Sequence, residues 1–340
     1  MTGTHEKAPD LSVIVSAIDH DKPQAVDRLL VCGLPGRYLS AVIEFVRQAL
    51  ASATGQCAVI NVNTLTDSVT SDLDSCDGPV LLWADSPNRG VVRWVRANGT
   101  PVLLVDQPFD EVGAEFMVTR KAGFSDSARV LALSRIGWWR LAELPAATIL
   151  DASQSVASGF ADALEQWNMA ALLPPDDAVA ASAVASDLPM PLHGENPFTG
   201  IAAFYGVPCG ADSQRLAIDL KLLFDGAPPH APLAGPIDLT GPVRALTFGP
   251  FLYLPQGEWM LHFTFEAGMN RSGNSLMFDV FVDNEAKCAT EFHLPHDGQF
   301  AFDCRFDVRD PWSTFEFRSH LRRGAIEGVF TPLSLELSRA

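Results

Sequence analysis

One stretch near the end of the chain alternates strictly between apolar and polar side chains. In residues 258–266 a large apolar side chain stands at every second position, and these are Trp259, Leu261, Phe263 and Phe265. Successive side chains of a β-strand point to opposite faces, so this spacing places all four on one face. Such a face must be buried against a second layer, and the stretch therefore predicts a strand of a two-sheet sandwich.

The alternation recurs through the back of the chain. Further runs with this pattern cover residues 276–282, 299–308, 314–320 and 333–337. Turn-forming residues such as Gly, Pro, Asn and Asp separate the runs. Residues 237–340 are therefore predicted to form an antiparallel β-sandwich or jelly roll.

The front of the chain has a different pattern, in which short aliphatic runs alternate with longer amphipathic stretches. The predicted strands are residues 29–32, 58–61, 79–83, 101–105 and 148–150. The predicted helices are residues 39–53, 89–98, 111–122 and 153–167. This alternation indicates βα units on a parallel sheet, so residues 25–170 are predicted to form a doubly wound α/β domain. The predicted fold class is thus α/β plus all-β.

The remaining segments are predicted to lie outside these two domains. A chain of 340 residues exceeds the usual size of one hydrophobic core, which favours two domains. Residues 1–24 are expected to be an N-terminal tail. Residues 171–236 are rich in Pro and Ala and are expected to be a linker, with apolar segments at 200–207 and 214–224 that dock on a domain.

The composition of the chain argues against several kinds of partner and against several cellular locations. The formal net charge of -17 opposes binding to nucleic acid or to anionic membranes. The sequence has no stretch of about 20 apolar residues, and its start lacks the pattern of a secretory signal peptide, so we expect a cytoplasmic protein without membrane insertion. The six cysteines are far apart and have no metal-ligand spacing, so no metal site is predicted and they are expected to be small core residues.

The turn after the first predicted strand leads directly into a helix, a position that can bind anions. Its candidate anion- or nucleotide-binding residues are Gly33, Gly36, Arg37 and Ser40. This turn resembles the GxPRSGTS-type loop of the sulfotransferase family, since Gly33, Leu34, Pro35 and Ser40 keep its outline. The resemblance implies a P-loop-like fold and a phosphosulfate nucleotide as donor. The sequence departs from the loop at residues 36–39.

A second feature of that family departs from its pattern here. The family's Arg-x-Pro segment and a later serine grip the donor's 3'-phosphate. In this sequence Asp106 stands at the arginine position, Pro108 is kept, and Gly113 or Ala114 replaces the serine. A carboxylate repels a phosphate, so the resemblance implies a donor site that has been lost or rebuilt, and no cofactor is expected.

Asp85 and Asp106 are the candidate catalytic residues. Both follow predicted strands, so they could face one crevice as paired carboxylates for acid–base chemistry. The alternative is that each caps the helix that follows it.

The back domain resembles the jelly-roll carbohydrate-binding modules of polysaccharide enzymes. The resemblance is carried by residues 249–251, 254–259, 315–318 and 323–324. Alternation places polar side chains on the outer faces of the strands, where planar donors and carboxylates suit sugar hydroxyls or a uronic acid. The candidate carbohydrate-binding residues are His262, Asp279, Arg305, Arg318 and His320, with Tyr253 and Trp312 as stacking platforms. The alternative is a solvated outer face.

Three functions remain open. The favoured one is a non-catalytic, carbohydrate-associated protein that binds polysaccharide or assists polysaccharide biosynthesis, with a degenerate nucleotide-binding fold as scaffold. Its expected partners are carbohydrate or polysaccharide-processing proteins. The second is a sulfotransferase-like transferase acting on a glycan hydroxyl. The third is a structural or interaction protein with no small ligand.

Overall fold

The front of the chain forms a five-stranded parallel sheet. The computed structural model describes residues 28–152, 155–169, 196–207 and 215–340. The strands are β1 Arg28–Gly33, β2 Ala58–Asn61, β3 Val80–Ala84, β4 Val102–Asp106 and β5 Ala147–Asp151, in the order β2-β3-β1-β4-β5. The helices are α1 Arg37–Thr54, α2 Asp67–Ser75, α3 Arg89–Asn98, α4 Phe109–Arg120, α5 Phe124–Ala142 and α6 Val156–Gln166. The predicted doubly wound sheet is confirmed.

Helices cover both faces of this sheet because the chain winds in two directions from β1. The connection through α1 runs to β2 on one side, while the connection through α3 runs from β3 to β4 on the other. Right-handed crossovers in opposite directions place their helices on opposite faces. On one face α1 packs beside α6, with the rings of Phe45 and Phe160 6.0 Å apart. The strand order reverses at β1, where sheets of this type leave a crevice at the carboxyl ends.

The back of the chain forms two packed antiparallel sheets, as predicted. One sheet has the order β13-β10-β15-β6, with β8 paired to β15, and the other has the order β12-β11-β14-β9-β7. The strands are β6 Arg215–Ile218, β7 Phe224–Asp225, β8 Ile237–Asp238, β9 Arg244–Tyr253, β10 Gly257–Gly268, β11 Asn274–Val282, β12 Glu285–Leu294, β13 Gly298–Val308, β14 Thr314–Leu321 and β15 Val329–Arg339.

Phenylalanine rings fill the space between the two sheets. All four apolar side chains predicted to face inward from β10 are fully buried. Phe263 of β10 meets Phe317 of β14 with ring centroids 4.7 Å apart, and Phe265 meets Phe278 of β11 at 5.0 Å. The strict alternation of β10 therefore provides one side of the sandwich core.

The sandwich begins before its predicted start at residue 237. β6 pairs with β15 through a register that joins Ile218 to Leu335, and β7 pairs with β9. A 3₁₀ helix at Leu220–Leu222 connects these two strands. Part of the stretch predicted as a linker is thus built into both sheets, because its alternating apolar residues complete their edges.

A short helix, α7 Thr199–Tyr205, joins the front domain to the sandwich. Its Tyr205 ring stacks on Trp139 of α5 at 5.9 Å, and its Tyr205 hydroxyl donates to the Tyr253 carbonyl oxygen at 2.6 Å. Phe204 contacts Trp259 of β10 at 5.8 Å. The two domains consequently share one continuous apolar core.

Hydropathy gives no membrane span within the described ranges. None of the helices there combines sufficient length with sufficient apolar character to cross a bilayer.

Candidate functional site

The outer surface of the β12-β11-β14 sheet brings together three of the predicted carbohydrate-binding residues. In the antiparallel register of β11 and β14, Asp279 lies opposite Arg318, and Met277 lies opposite His320. Directly opposite residues point to the same side of a sheet, and here it is the side away from the phenylalanine core. We call Asp279, Arg318, His320 and their outward neighbours Met277, Phe281 and Glu316 the sandwich face.

Asp279 is the buried centre of the sandwich face. Its side chain is 6% exposed. Arg318 donates to it in a bidentate manner, with Nε 2.8 Å from Oδ1 and Nη2 3.3 Å from Oδ2. His320 Nε2 lies 3.2 Å from Oδ2, in a contact that lacks the alignment of a good hydrogen bond. The carboxylate therefore fixes the orientation of the guanidinium group and holds the imidazole near it.

The pKa values of the two carboxyl groups of the sandwich face are shifted in opposite directions. Burial alone would raise the pKa of Asp279, but the interactions with His320 and Arg318 outweigh it and hold that pKa below its ordinary value. Burial raises the pKa of Glu316, and the nearby Arg318 only partly opposes this. Asp279 is therefore ionised throughout the physiological range.

An aromatic ring completes the sandwich face. The Arg318 guanidinium carbon lies 3.6 Å from the centroid of the Phe281 ring, a close cation–π contact. Phe281 and Met277 are partly exposed on the same surface. The sequence analysis did not select either residue, although both stand two positions from Asp279 and the same alternation points them outward.

Two other predicted carbohydrate-binding residues lie on the opposite sheet. His262 of β10 contacts Asp303 of β13, with Nδ1 2.6 Å from Oδ1, and Arg305 stands across from Met260. These residues point outward from the β10–β13 pair. His262 and Arg305 therefore lie apart from Asp279, Arg318 and His320, because the sandwich core separates the two outer surfaces.

Tyr253 and Trp312 lie at the junction with the front domain. The Tyr253 carbonyl oxygen accepts the hydrogen bond from α7, and its side chain is partly buried. Arg89 of α3 lies over the Trp312 ring at 5.8 Å and pairs with Asp310 beside it. Both aromatic residues thus serve contacts between domains, which the sequence pattern does not reveal.

The front domain has a cleft of about 490 Å³ at the carboxyl ends of its strands, lined in part by Trp83, Asp85 and Arg120. Three of the predicted anion-binding residues, Gly36, Arg37 and Ser40, line this front cleft. Gly33 ends β1, where an added Cβ would lie 3.0 Å from the Val105 side chain.

A carboxylate of the protein itself occupies the start of α1. Glu115 of α4 is buried, and its Oε1 accepts from the Arg37 backbone N–H at 2.8 Å and from Arg37 Nε at 3.2 Å. Gly36 offers no side chain to cap the helix. The Ser40 hydroxyl donates back to the Gly36 carbonyl oxygen at 3.1 Å. Two donors that a bound anion would use, the Arg37 backbone N–H and Arg37 Nε, are therefore already engaged.

The two candidate catalytic carboxylates have separate partners. Asp85 accepts from Asn63 Nδ2 at 2.6 Å and from the Ser86 hydroxyl at 3.1 Å. Asp106 pairs with Arg135 of α5, with Oδ1 3.0 Å from Nη1. Neither caps the helix that follows it, since Asn88 caps α3 and Pro108 precedes α4. Across the described ranges, no group of three or more His, Cys, Asp or Glu side chains is placed to hold a metal ion.

Comparison with known proteins gives likenesses of fold only. No protein-family model matches this sequence, and no curated protein matches it. The chain is similar to TmCBM61 in complex with β-1,4-galactotriose, at 13% identity and a TM-score of 0.25, over 38% of this chain and 90% of that one. It is similar to the xylan-binding module CBM15, at 11% identity and 0.26, over 38% and 97%. It is also similar to the insecticidal delta-endotoxin Cry8Ea1 from Bacillus thuringiensis, at 12% identity and 0.21, over 30% and 19%. At these scores the likenesses decide nothing about function.

Proposed function

We propose that the protein is a non-catalytic carbohydrate-binding protein and that the sandwich face is its binding surface. The observation that carries the proposal is the Asp279–Arg318 pair, which presents a fixed guanidinium group packed on a partly exposed aromatic ring. This combination suits sugar recognition, since a sugar offers hydroxyls at its edge and apolar C–H groups on its face.

The fixed guanidinium retains donor capacity toward solvent. Arg318 uses Nε and Nη2 for Asp279, and its Nη1 makes no hydrogen bond within the described part of the chain. The Arg318 side chain is 28% exposed and His320 is 22% exposed. A donor whose orientation is fixed in advance loses little entropy on binding, which favours recognition of hydroxyl or carboxylate oxygens.

The front domain enters this proposal as a scaffold. The Glu115 carboxylate accepts from the Arg37 backbone N–H at the start of α1, and a phosphosulfate nucleotide would have to displace it to bind that N–H group. Repulsion by that carboxylate argues against the transferase, so the proposal assigns no chemistry to the front cleft.

Binding of the full chain to a panel of neutral and uronic-acid polysaccharides, measured by calorimetry, tests the proposal. We expect Arg318→Ala and Phe281→Ala each to weaken binding at least about tenfold. Arg305→Ala is the matched control, because it removes an outward arginine from the opposite sheet. Equal binding by wild type and Arg318→Ala, an equal loss in the Arg305→Ala control, or no binding to any glycan would each refute the assignment.

A further inference from the structure

The two sheets of the sandwich meet along one edge. β12 is the outer strand of one sheet, and β13 is the outer strand of the other. The chain passes between them through the short connection at residues 295–297. β12 and β13 therefore run beside each other from this connection onward, although they belong to different sheets.

Two contacts hold the edges of β12 and β13 together at different distances from the connection. Near it, the rings of Phe292 and Phe302 meet at 5.7 Å. Farther away, Lys287 Nζ lies 3.7 Å from Asp307 Oδ1. Along each strand, one cysteine stands between these contacts, Cys288 on β12 and Cys304 on β13.

Both cysteines point into the space between the sheets. Cys288 lies opposite Val280 and Cys304 lies opposite Leu261, and both partners face the core. The two thiols are free, and both lie between the Phe292–Phe302 contact and the Lys287–Asp307 contact. Cys304 is buried and Cys288 is partly exposed, so reagents reach Cys288 first.

We propose that Cys288 and Cys304 are a reversible thiol–disulfide pair that fastens the two sheets along this edge. The oxidant is a low-molecular-weight disulfide of the glutathione class. The Cys288 thiolate attacks it, forming a mixed disulfide and releasing one glutathione thiol. Cys304 then loses its proton to solvent and attacks the Cys288 sulfur, and the second glutathione leaves as a thiol, so that two protein thiols are oxidised and one glutathione disulfide is reduced.

The second step is the slower one, and oxidation stabilises the sandwich. Burial, together with the neighbouring Cys288, raises the pKa of the Cys304 thiol, which lowers its thiolate fraction at neutral pH. The bond closes a short loop and restricts the unfolded chain, so we expect the melting temperature of the oxidised protein to rise by roughly 5 °C.

Peptide mapping of the full chain tests the bond directly. Trypsin cleaves after Lys287 and Arg305 with no basic residue between them, so one peptide, residues 288–305, contains both cysteines. The protein is equilibrated with glutathione disulfide or dithiothreitol, treated with N-ethylmaleimide under denaturing conditions, and digested. We expect this peptide to carry two maleimides after dithiothreitol, and to be two hydrogens lighter and unlabelled after oxidation.

Melting temperatures of the same samples test whether the bond fastens the native sheets. The oxidative increase should disappear in Cys288→Ala and in Cys304→Ala and persist in Cys57→Ala, a partly exposed front-domain thiol. Two maleimides after oxidation, or glutathione on Cys288 beside a maleimide on Cys304, would overturn the proposal. A bond that forms without a higher melting temperature would overturn it as well.

Discussion

The front cleft and the sandwich face both gather charged side chains, but they use them differently. In the front cleft, Glu115 and Arg37 come from different helices and satisfy each other at the start of α1. On the sandwich face, Asp279 and Arg318 stand on neighbouring strands, and their pairing leaves a donor and the Phe281 ring at the surface. The front pair places a carboxylate where an anion would bind, whereas the sandwich pair keeps part of the Arg318 guanidinium group at the surface.

Overpacking the junction between the domains should have the largest effect. A Cβ added at Gly113 of α4 would lie 2.5 Å from the Phe198 ring, which is fully buried. We expect Gly113→Ala to lower the free energy of unfolding by about 2–3 kcal/mol in chemical denaturation, because neither backbone nor ring has room to move. Gly123→Ala is the control, since nothing lies within 4 Å of its added Cβ. Equal stability of the two variants would show that the front domain is not packed tightly through Phe198.

Removing the charge of Asp106 should have the next largest effect. Arg135 is 2% exposed and depends on this carboxylate, which is itself 42% exposed. Asp106→Asn leaves a buried guanidinium without its counter-ion, and we expect the free energy of unfolding to fall by about 2 kcal/mol. This cost is smaller than that for a fully buried pair because the aspartate is partly exposed. Asp110→Asn, at the start of α4, is the control. A neutral result for Asp106→Asn would mean that Arg135 gains its stability from the Trp138 ring beneath it instead.

Neutralising Glu115 measures how much its carboxylate, at the start of α1 in the front cleft, stabilises the fold. Glu115→Gln keeps an oxygen near the Arg37 N–H but removes the charge at the positive end of α1, and we expect a loss of about 1 kcal/mol that shrinks in high salt. Glu111→Gln removes an exposed acid from the same helix and serves as the control. An unchanged free energy of unfolding would show that the carboxylate contributes nothing to the stability of the fold.

Local patterns predicted all five described strands of the parallel sheet and five of the ten described strands of the sandwich, since alternation and periodicity depend on neighbouring residues. The sequence did not predict α5, because this helix is buried on most sides, Ser127 and Arg135 included, and therefore shows no apolar stripe. It also did not predict β12, an edge strand whose polar residues are mostly exposed. The residue pattern of these two elements depends on their contacts with the surrounding fold rather than on the period of a helix or strand.

The candidate site was predicted only in part for the same reason. Alternation placed Asp279 and Arg318 on an outer face, but it could not show that His262 belongs to the other sheet. The role of Glu115 depends on a contact with a residue 78 positions away, which no local pattern contains.

The smallest expected effect comes from neutralising Glu316, whose pKa is shifted in the opposite direction to that of Asp279 on the sandwich face. The pKa of Glu316 is raised in the folded protein, so its ionised form opposes folding above that pKa and the cost disappears as the pH falls. We expect Glu316→Gln to raise the melting temperature at pH 7 by about 1–2 °C. The difference in melting temperature from wild type should vanish as the pH falls to the ordinary pKa of a glutamate. The pKa of Asp279 is lowered, so its ionised form stabilises the fold at pH values above the ordinary pKa of an aspartate. This stabilisation is lost at lower pH in both wild type and Glu316→Gln.

Thermal unfolding of wild type and Glu316→Gln between about pH 4 and 7 measures this difference. Glu266→Gln, an exposed acid of β10, is the control and should show no such trend. A difference that stays constant with pH would mean that Glu316 acts through the shape of its side chain and not through its charge.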